Sequence, residues 1–287
     1  MRKTLFLVVV LICMFTLIAS AKATLVQIAE FNIPEANQGI GVDDRYFYAV
    51  DNRVIAKYDK ATGELVNKFV GPADGQIIHL DSAMVKDGKL YCAHSNYPAW
   101  PMTSSVEIFD TFTMEHIGTH SFGINYGSLT WFDYYNGYWW ATFANYDNLN
   151  GPDLYTPNGP NKTLYGNKLT TQMVKFDDQF RYLESWTLPK SILDKFEVMS
   201  NSGGSWGPDG FLYLSGHDPA EIYKMSLPKA GSILVLEDIL PMGIRGQGIA
   251  WDRSDPGVIY GIIRATSEER KAGGMHKVVA YRMVITP

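Results

Sequence analysis

Cysteine is nearly absent from this chain of 287 residues. There are two, and only Cys92 lies beyond the N-terminal segment, so the folded part of the chain cannot form an intramolecular disulfide. Cys92 stands within the apolar run 89–93 and is predicted to be a small buried hydrophobic residue rather than a nucleophile.

Long apolar runs are also missing. The run over residues 5–18 is shorter than the roughly 20 residues that a membrane-spanning helix needs, and no later run matches it. It follows the basic start Arg2-Lys3 and precedes Ala21-x-Ala23, which is the pattern of a cleavable signal peptide. The sequence therefore predicts a signal peptide over 1–23, a single domain over 24–287, a periplasmic or secreted location, and no membrane insertion after cleavage.

Positive charge is in short supply. Residues 1–23 contain three bases and no acid, so the predicted mature chain has 22 basic against 30 acidic residues and a net charge of −8 instead of −5. A surface of this sign repels phosphate backbones, which argues against nucleic acid as a partner. The chain also lacks a P-loop and a His-Glu-x-x-His pair. A small-molecule or carbohydrate ligand is the expected partner.

An internal repeat is the strongest pattern that is present. A short turn precedes an apolar or aromatic run five times, and the closing aromatics are spaced by 43, 49, 73 and 47 residues: Tyr48, Tyr91, Trp140, Tyr213 and Tyr260. These spacings are close to the ~40–50 residues of a β-propeller blade, apart from one. A second hairpin follows the first in four units, which makes four strands per unit. The sequence therefore predicts an all-β, five-bladed β-propeller.

Two departures from the repeat have structural explanations. The long spacing contains residues 147–171, rich in Asn, Gly, Pro and Tyr, which indicates a loop insertion. The last unit ends with 278–285 and lacks a fourth strand, whereas 25–31 is an unmatched strand at the other end. The N-terminal strand is therefore expected to close the last blade. A β-sandwich is the alternative fold, although it does not explain the five-fold order.

One face of such a propeller should hold the site. The inner strand of each blade begins, and the second strand ends, on the face that also carries the connections between second and third strands. Those connections are long here, over 97–105, 146–171 and 265–276. Binding residues are commonly held on loops over a rigid scaffold, so this face is the candidate site.

Polar side chains at these strand ends supply the candidate residues. The catalytic candidates are an acid–base set and a cation: His79, Asp81, His94, His217 and Arg264. His79 or His94 is the expected base with Asp81 fixing its tautomer, His217 the expected acid, and Arg264 the holder of a carboxylate or enolate. The ligand-binding candidates are Gln38, Asn96, Trp100, Asn145, Ser205, Trp206, Asp218 and Gln247.

Trp100 and Trp206 are included because flat rings at a pocket rim suit sugar rings. The other tryptophans of the domain are expected in the core between blades: Trp131, Trp139, Trp140, Trp186 and Trp251.

The three candidate histidines also suit a divalent metal ion. His79, His94 and His217, with an oxygen from Asp81, would give a nitrogen and oxygen ligand set of the kind that Zn²⁺ prefers. They come from three blades without a short ligand motif, so a metal-free acid–base cluster is the alternative.

Four segments carry a family resemblance: HLD at 79–81, GKLYCAHSNYP at 88–98, SGGSWG at 202–207 and GQGIAWDRSDPG at 246–257. Together they resemble a family of exported bacterial β-propellers often labelled cycloisomerase, over nearly the whole mature chain. QGI at 38–40 and KATGE at 60–64 are similar to the first blade of plant-type glutaminyl cyclase, another five-bladed propeller. That second resemblance implies that Asp81 stands where the family has its catalytic Glu, one methylene shorter, and Ser82 where it has Gly.

Three functions follow from these residues and resemblances. The first is an exported enzyme that closes or opens a ring in a small acidic or sugar-derived molecule, by cycloisomerase, lyase or lactonase chemistry. The second is a non-catalytic propeller that binds a glycan or a protein. The third is an enzyme similar to glutaminyl-peptide cyclotransferases.

Overall fold

A computed structural model describes residues 22–99, 101–147 and 167–286. These residues form twenty strands in five four-stranded antiparallel sheets, arranged as the blades of a β-propeller. The predicted fold class is confirmed. The β-sandwich alternative is excluded because the strands are divided among five sheets rather than two.

The first four blades each use four consecutive strands, counted from the axis outwards. Blade 1 consists of β2 (Gly39–Val42), β3 (Tyr46–Asp51), β4 (Val54–Asp59) and β5 (Leu65–Val70). Blade 2 consists of β6 (Leu80–Lys86), β7 (Lys89–Ser95), β8 (Ser104–Asp110) and β9 (His116–Gly123). Blade 3 consists of β10 (Ser128–Tyr135), β11 (Tyr138–Ala144), β12 (Gln172–Phe176) and β13 (Tyr182–Thr187).

Blades 4 and 5 complete the ring. Blade 4 consists of β14 (Gly203–Trp206), β15 (Leu212–Ser215), β16 (Glu221–Ser226) and β17 (Val235–Pro241). Blade 5 consists of β18 (Ala250–Trp251), β19 (Val258–Ile263), β20 (Lys277–Thr286) and, as its outermost strand, β1 (Lys22–Asn32).

The two ends of the chain close blade 5, as the sequence predicts. β1 pairs antiparallel with β20 from Lys22 opposite Thr286 to Asn32 opposite Lys277. Closure of this kind ties the last blade to the start of the chain. Because β1 begins at Lys22, cleavage after Ala23 would remove the first two residues of this strand; the boundary of the signal peptide stays a prediction.

The hydrophobic core lies between neighbouring blades. Broad side chains from facing sheets fill these interfaces, and five tryptophans are at most 8% exposed, as predicted for core residues: Trp131, Trp139, Trp140, Trp186 and Trp251. Cys92 is fully buried and unpaired, which confirms its prediction as a small hydrophobic core residue.

Two features at the start of the inner strands shape the centre of the ring. β6 and β7 pair Leu80 with His94 and Ala83 with Cys92, so Asp81 and Ser82 form a β-bulge opposite one residue. Bulges re-aim side chains near functional sites. Gly39 packs so closely there that a Cβ atom would lie 2.7 Å from the Cα of Ser82. The close backbone approach holds the bulge, and therefore Asp81, deep in the ring.

Within the residues that the structure describes, helical structure is confined to short connections. The helices are α1 (Lys190–Leu193) and α2 (Ser267–Lys271), with 3₁₀ turns at Lys168–Thr170 and Asp194–Phe196. α2 begins with a capping box between Thr266 and Glu269. No helix in the described ranges is long and apolar enough to cross a membrane.

Candidate functional site

A pocket of about 130 Å³ lies where the blades converge. It is lined by residues that precede the inner strands, begin them, or follow the second strands: Gln38, His79, Asp81, Tyr97, Tyr146, Met199, Ser202, His217, Gln247 and Arg264. Four of the five predicted catalytic residues line it, together with two of the predicted ligand-binding residues, Gln38 and Gln247. These residues lie close together because the strand ends on the predicted face surround the central axis of the propeller.

His79 presents one free ring nitrogen. Its Nδ1 lies 2.7 Å from Oδ1 of Asn52, which also accepts from Nε2 of Gln38 at 3.2 Å. The amide of Asn52 is oriented because its Nδ2 donates to Asp51 at 2.9 Å. Oδ1 can only accept, so the ring proton of His79 is on Nδ1 and Nε2 holds a lone pair. Burial, and secondarily the nearby His94, lowers the pKa of His79 to about 4. His79 is therefore a neutral imidazole at pH 7.

Asp81 is the buried carboxyl group of the pocket. It is 3% exposed, and its Oδ1 has no hydrogen-bond partner among the described residues. Burial raises the pKa of Asp81 well above its usual value, an effect that Arg264 opposes only in part. Its Oδ2 lies 4.0 Å from Nε2 of His79, too far for a direct hydrogen bond. The two side chains are therefore close neighbours without a hydrogen bond between them.

Arg264 supplies positive charge to the same pocket. Its Nη2 lies 3.2 Å from Oδ1 of Asp218 and 3.3 Å from the His217 carbonyl oxygen, whereas its Nε has no partner within the described part of the chain. Nδ1 of His217 lies 2.5 Å from Oδ2 of Asp218. Burial lowers the pKa of His217, which disfavours its expected role as the acid. The carboxyl of Asp81 is better suited to that role.

His94 occupies a different place from the one expected. It lies on β7 and lines a separate cleft between blades 1 and 2, where its Nδ1 is 2.9 Å from Oγ of Ser105 and its Nε2 accepts from the Ile78 N–H at 3.2 Å. Side chains of a strand project alternately from the two sides of the sheet. That geometry takes His94 toward the cleft rather than into the pocket, which corrects its prediction as a residue at the axis.

Two predicted amide ligands stabilise loops instead. Nδ2 of Asn96 donates to the Pro101 carbonyl and its Oδ1 accepts from the Thr103 N–H. Nδ2 of Asn145 donates to the carbonyl oxygens of Tyr126 and Thr170. Neither asparagine lines the pocket. Sequence reasoning placed them by strand end alone, which does not reveal how a loop uses its polar groups.

Ser205 and Trp206 lie at the far end of β14. Oγ of Ser205 and the Trp206 N–H both donate to Oδ2 of Asp133, at 3.1 and 2.8 Å, and Nη2 of Arg253 donates to the same oxygen. The Trp206 ring is 4% exposed within the core between blades 3 and 4. Both residues were expected at the pocket rim, but a four-residue inner strand carries them away from the face where it begins.

The letters of the segment 203–207 also match the Gly-x-Ser-x-Gly pattern of a nucleophile elbow. In the structure this segment is the strand β14 followed by a turn into β15, not a turn that opens a helix. No histidine hydrogen-bonds Ser205 among the contacts of its hydroxyl group, which are Asp133 and the Trp251 N–H. The Gly-x-Ser-x-Gly pattern at 203–207 therefore does not form the nucleophile elbow of a serine hydrolase.

The remaining predictions concern Trp100 and the metal ion. Trp100 lies outside the described residues, so its role as a ligand contact stays a prediction. His79 and His217 share the pocket, but His94 does not. Throughout the ranges that the structure describes, no group of three His, Cys, Asp or Glu side chains is arranged to hold a metal ion. The predicted metal set is therefore not assembled in this arrangement.

Sequence reasoning missed several residues of the site. Asn52 fixes the His79 tautomer, Tyr97 packs its ring 5.2 Å from the His79 ring, and Met199 and Ser202 complete the lining. Asn52 and Tyr97 both follow second strands, where the strand-end rule points, but neither was among the candidate residues. Met199 lies in an irregular segment between blades, where no repeat pattern points to it.

The buried state of His79 predicts a dependence of stability on pH. An unfolded histidine titrates near pH 6.5. Between about pH 6.5 and 4 the unfolded chain binds a proton at His79 that the folded chain does not, so the free energy of unfolding should fall as the pH is lowered through this window. In His79→Gln this fall should be smaller by roughly 3 kcal/mol. Urea unfolding at intervals from pH 7 to 4 measures it, and a folded-state titration of His79 near pH 6.5 by NMR would contradict it.

Comparisons with known proteins add the fold but no family. No profile of a known protein family matches the chain, and no curated protein matches it in sequence. The structure is similar to a luciferin-regenerating enzyme, with 12% identity and a TM-score of 0.51 over 92% of this chain and 95% of that one. It is also similar to the PQQ-bound aldose sugar dehydrogenase of Streptomyces coelicolor, with 10% identity and a TM-score of 0.53 over 92% and 99%. At such identities the likeness shows a shared β-propeller fold alone.

Proposed function

We propose that this protein is an enzyme that opens or closes a ring in a small carboxylate-bearing molecule, by isomerase or lyase chemistry. The observation that carries the proposal is the pairing in one buried pocket of a neutral base, Nε2 of His79, with a carboxyl group of raised pKa, Asp81, 4.0 Å away. Perturbed acid–base pairs of this kind are typical of catalytic sites. The resemblance to propellers labelled cycloisomerase agrees with it.

The spacing of the two groups favours a particular step. A base and an acid 4.0 Å apart can reach neighbouring atoms on one face of a ligand. In ring opening, His79 Nε2 takes the proton from the carbon next to a carboxylate, the electron pair of that C–H bond forms a C=C bond, and the ring C–O bond at the next carbon breaks. Asp81 gives its proton to the departing oxygen. The product is an isomer of the substrate, and ring closure is the reverse.

Arg264 supports this step by its charge. The carbon that loses a proton becomes more acidic when negative charge on the adjacent carboxylate is stabilised, and an arginine fixed in a buried pocket can do so without rearranging. Arg264 lines the pocket, and its buried Nε has no partner within the described ranges. We therefore assign Arg264 to the ligand carboxylate.

The size of the pocket favours a small ligand over a glycan chain. Its volume of about 130 Å³ is below the roughly 300–1,000 Å³ of typical ligand pockets. Trp206, one of the two rings that suggested sugar recognition, is part of the core. The non-catalytic glycan- or protein-binding alternative would therefore depend on Trp100 and on the surrounding loops rather than on the pocket itself.

The cyclotransferase alternative also has one observation in its favour. Asp81, which the resemblance aligns with the catalytic Glu of plant-type glutaminyl cyclases, is the second residue of β6 and lines the pocket. Its shorter side chain and the adjacent Ser82 depart from that pattern. A peptide with N-terminal glutamine therefore belongs among the substrates to be tested.

The experiment is a substrate screen with a matched pair of variants. Lactones of sugar acids, unsaturated dicarboxylic acids and an N-terminal glutaminyl peptide are incubated with the protein and followed by ¹H NMR in D₂O. We expect either an unsaturated acid to close into a ring with deuterium incorporated at the carbon next to the carboxylate, or a lactone to open with loss of the proton from that carbon. Arg264→Lys should raise KM about 10- to 100-fold, the loss of a charged hydrogen bond, while Arg282→Lys on the surface should not. Tight binding of a compound that is recovered unchanged and undeuterated would favour the non-catalytic binding protein. Release of ammonia from the glutaminyl peptide would favour the cyclotransferase.

Location and partners complete the proposal. The basic, apolar and Ala-x-Ala pattern over residues 1–23 supports export to the periplasm or the exterior. The net negative charge of the remaining chain supports a small-molecule rather than a nucleic-acid partner.

A further inference from the structure

A chain of hydrogen bonds runs behind the pocket, in the cleft between blades 1 and 2. The Ile78 N–H donates to Nε2 of His94 at 3.2 Å, Nδ1 of His94 lies 2.9 Å from Oγ of Ser105, and that hydroxyl donates to Oε1 of Glu107 at 2.6 Å. We call these four residues the Glu107 relay. One end of it, Ile78, is the residue directly before His79.

The direction of each proton in the relay is fixed by its ends. The backbone N–H of Ile78 can only donate, so Nε2 of His94 is the acceptor and the ring proton is on Nδ1. Nδ1 therefore donates to Ser105, whose own proton goes to Glu107. The second carboxylate oxygen of Glu107 accepts from Oγ1 of Thr119 and lies 2.7 Å from Nε2 of His116. The buried carboxylate thus holds the imidazole of His94 in one tautomer.

We infer that the Glu107 relay is a positioning device for His79, and that His94 acts on the site through the backbone rather than by touching substrate. The segment around His79 has two further anchors, the His79 carbonyl accepting from the Ser95 N–H and the Leu80 N–H donating to the Asn52 carbonyl. The bond from Ile78 to His94 is the only one of these that depends on a titratable side chain. This inference rests on the proposed role of His79 as the base.

The relay is largely buried, but its side chains line a cleft that is open to solvent, which exposes His94 to changes of pH. The cleft has a volume of about 570 Å³. The titratable groups around His94 are Glu107 and His116 from β8 and β9 and His79 from the segment before β6, while the wall from blade 1 is apolar at Phe69, Pro72 and Ile77. Protonation of His94 at Nε2 would place its new N–H against the N–H of Ile78. The backbone before His79 would then lose its acceptor and shift.

The test reads His79 directly and needs no substrate. ¹⁵N NMR of the imidazoles gives the tautomer and pKa of His79, and hydrogen exchange gives the protection of the Ile78 amide, in wild type, Ser105→Ala, Glu107→Gln and His94→Leu. We expect the Ile78 amide to exchange at least tenfold faster in the variants. We also expect His79 to lose its single Nδ1–H tautomer and its pKa to rise by at least half a unit.

Two further variants separate positioning from folding. His94→Gln keeps an acceptor for Ile78 that cannot be protonated, so it should restore the wild-type tautomer of His79. His120→Leu is the matched control, because His120 packs on Phe122 and Phe180 away from the pocket. Ser105→Ala removes only a hydroxyl group and keeps the test decisive should His94→Leu fail to fold. An unchanged His79 tautomer and pKa in folded Ser105→Ala and Glu107→Gln overturns the inference. A protein that converts no substrate but shows the expected NMR changes overturns the proposed function instead.

Discussion

Asp81→Asn is expected to lower kcat by about 10²- to 10⁴-fold, the usual contribution of general acid–base catalysis, and to leave KM nearly unchanged. Asparagine has the shape of the protonated carboxyl group but has no proton that it can give to a departing oxygen. The measurement is kcat and KM with the substrate identified in the screen. Retention of the wild-type kcat would remove Asp81 from the chemistry.

The stability of the same variant provides its control. Burial raises the pKa of Asp81, so the folded chain keeps a proton that the unfolded chain releases above about pH 4. The free energy of unfolding of the wild type therefore falls as the pH rises through that window, and Asp81→Asn, which cannot ionise, should be at least as stable as wild type at pH 7. Asp178→Asn, an exposed residue that accepts from the Tyr134 hydroxyl, is the matched substitution and should change neither kcat nor KM.

Trp206→Ala is expected to lower the free energy of unfolding by about 3–5 kcal/mol, the cost of truncating a fully packed aromatic residue. The ring of Trp206 is 4% exposed and stacks on Tyr135 with 4.8 Å between centroids and an angle of 6°. It also packs at 4.8 Å against Trp140. Its removal would leave a cavity between blades 3 and 4. Guanidinium chloride unfolding of the variant and the wild type measures the difference.

Phe112→Ala provides the comparison for this prediction. Phe112 is 87% exposed, so its truncation should change the free energy of unfolding by less than about 0.5 kcal/mol. If Trp206→Ala unfolds with the wild-type midpoint and instead loses affinity for a sugar, the core assignment is wrong and the ring belongs to a binding surface.

The repeat pattern predicted the fold because a propeller is built from local units. Each blade is a series of antiparallel hairpins between strands that are consecutive in sequence. The spacing of turns and aromatic residues, from Tyr48 to Tyr260, therefore predicts the strand order. The closure of blade 5 by β1 followed from one unmatched strand at each end. For the same reason the face where the inner strands begin could be identified, and His79, Asp81, His217, Gln247 and Arg264 were placed on it together.

The sequence by itself determined the blade repeat, the closing strand and the end of the ring at which polar residues converge, because all three depend on order along the chain. The tertiary structure alone decided which way each side chain points. Alternation along β7 takes His94 into the cleft, the length of β14 takes Ser205 and Trp206 to the far end, and the bulge in β6 places Asp81 beside His79. Burial then sets the protonation of His79 and Asp81, and burial depends on packing among blades that are distant in sequence.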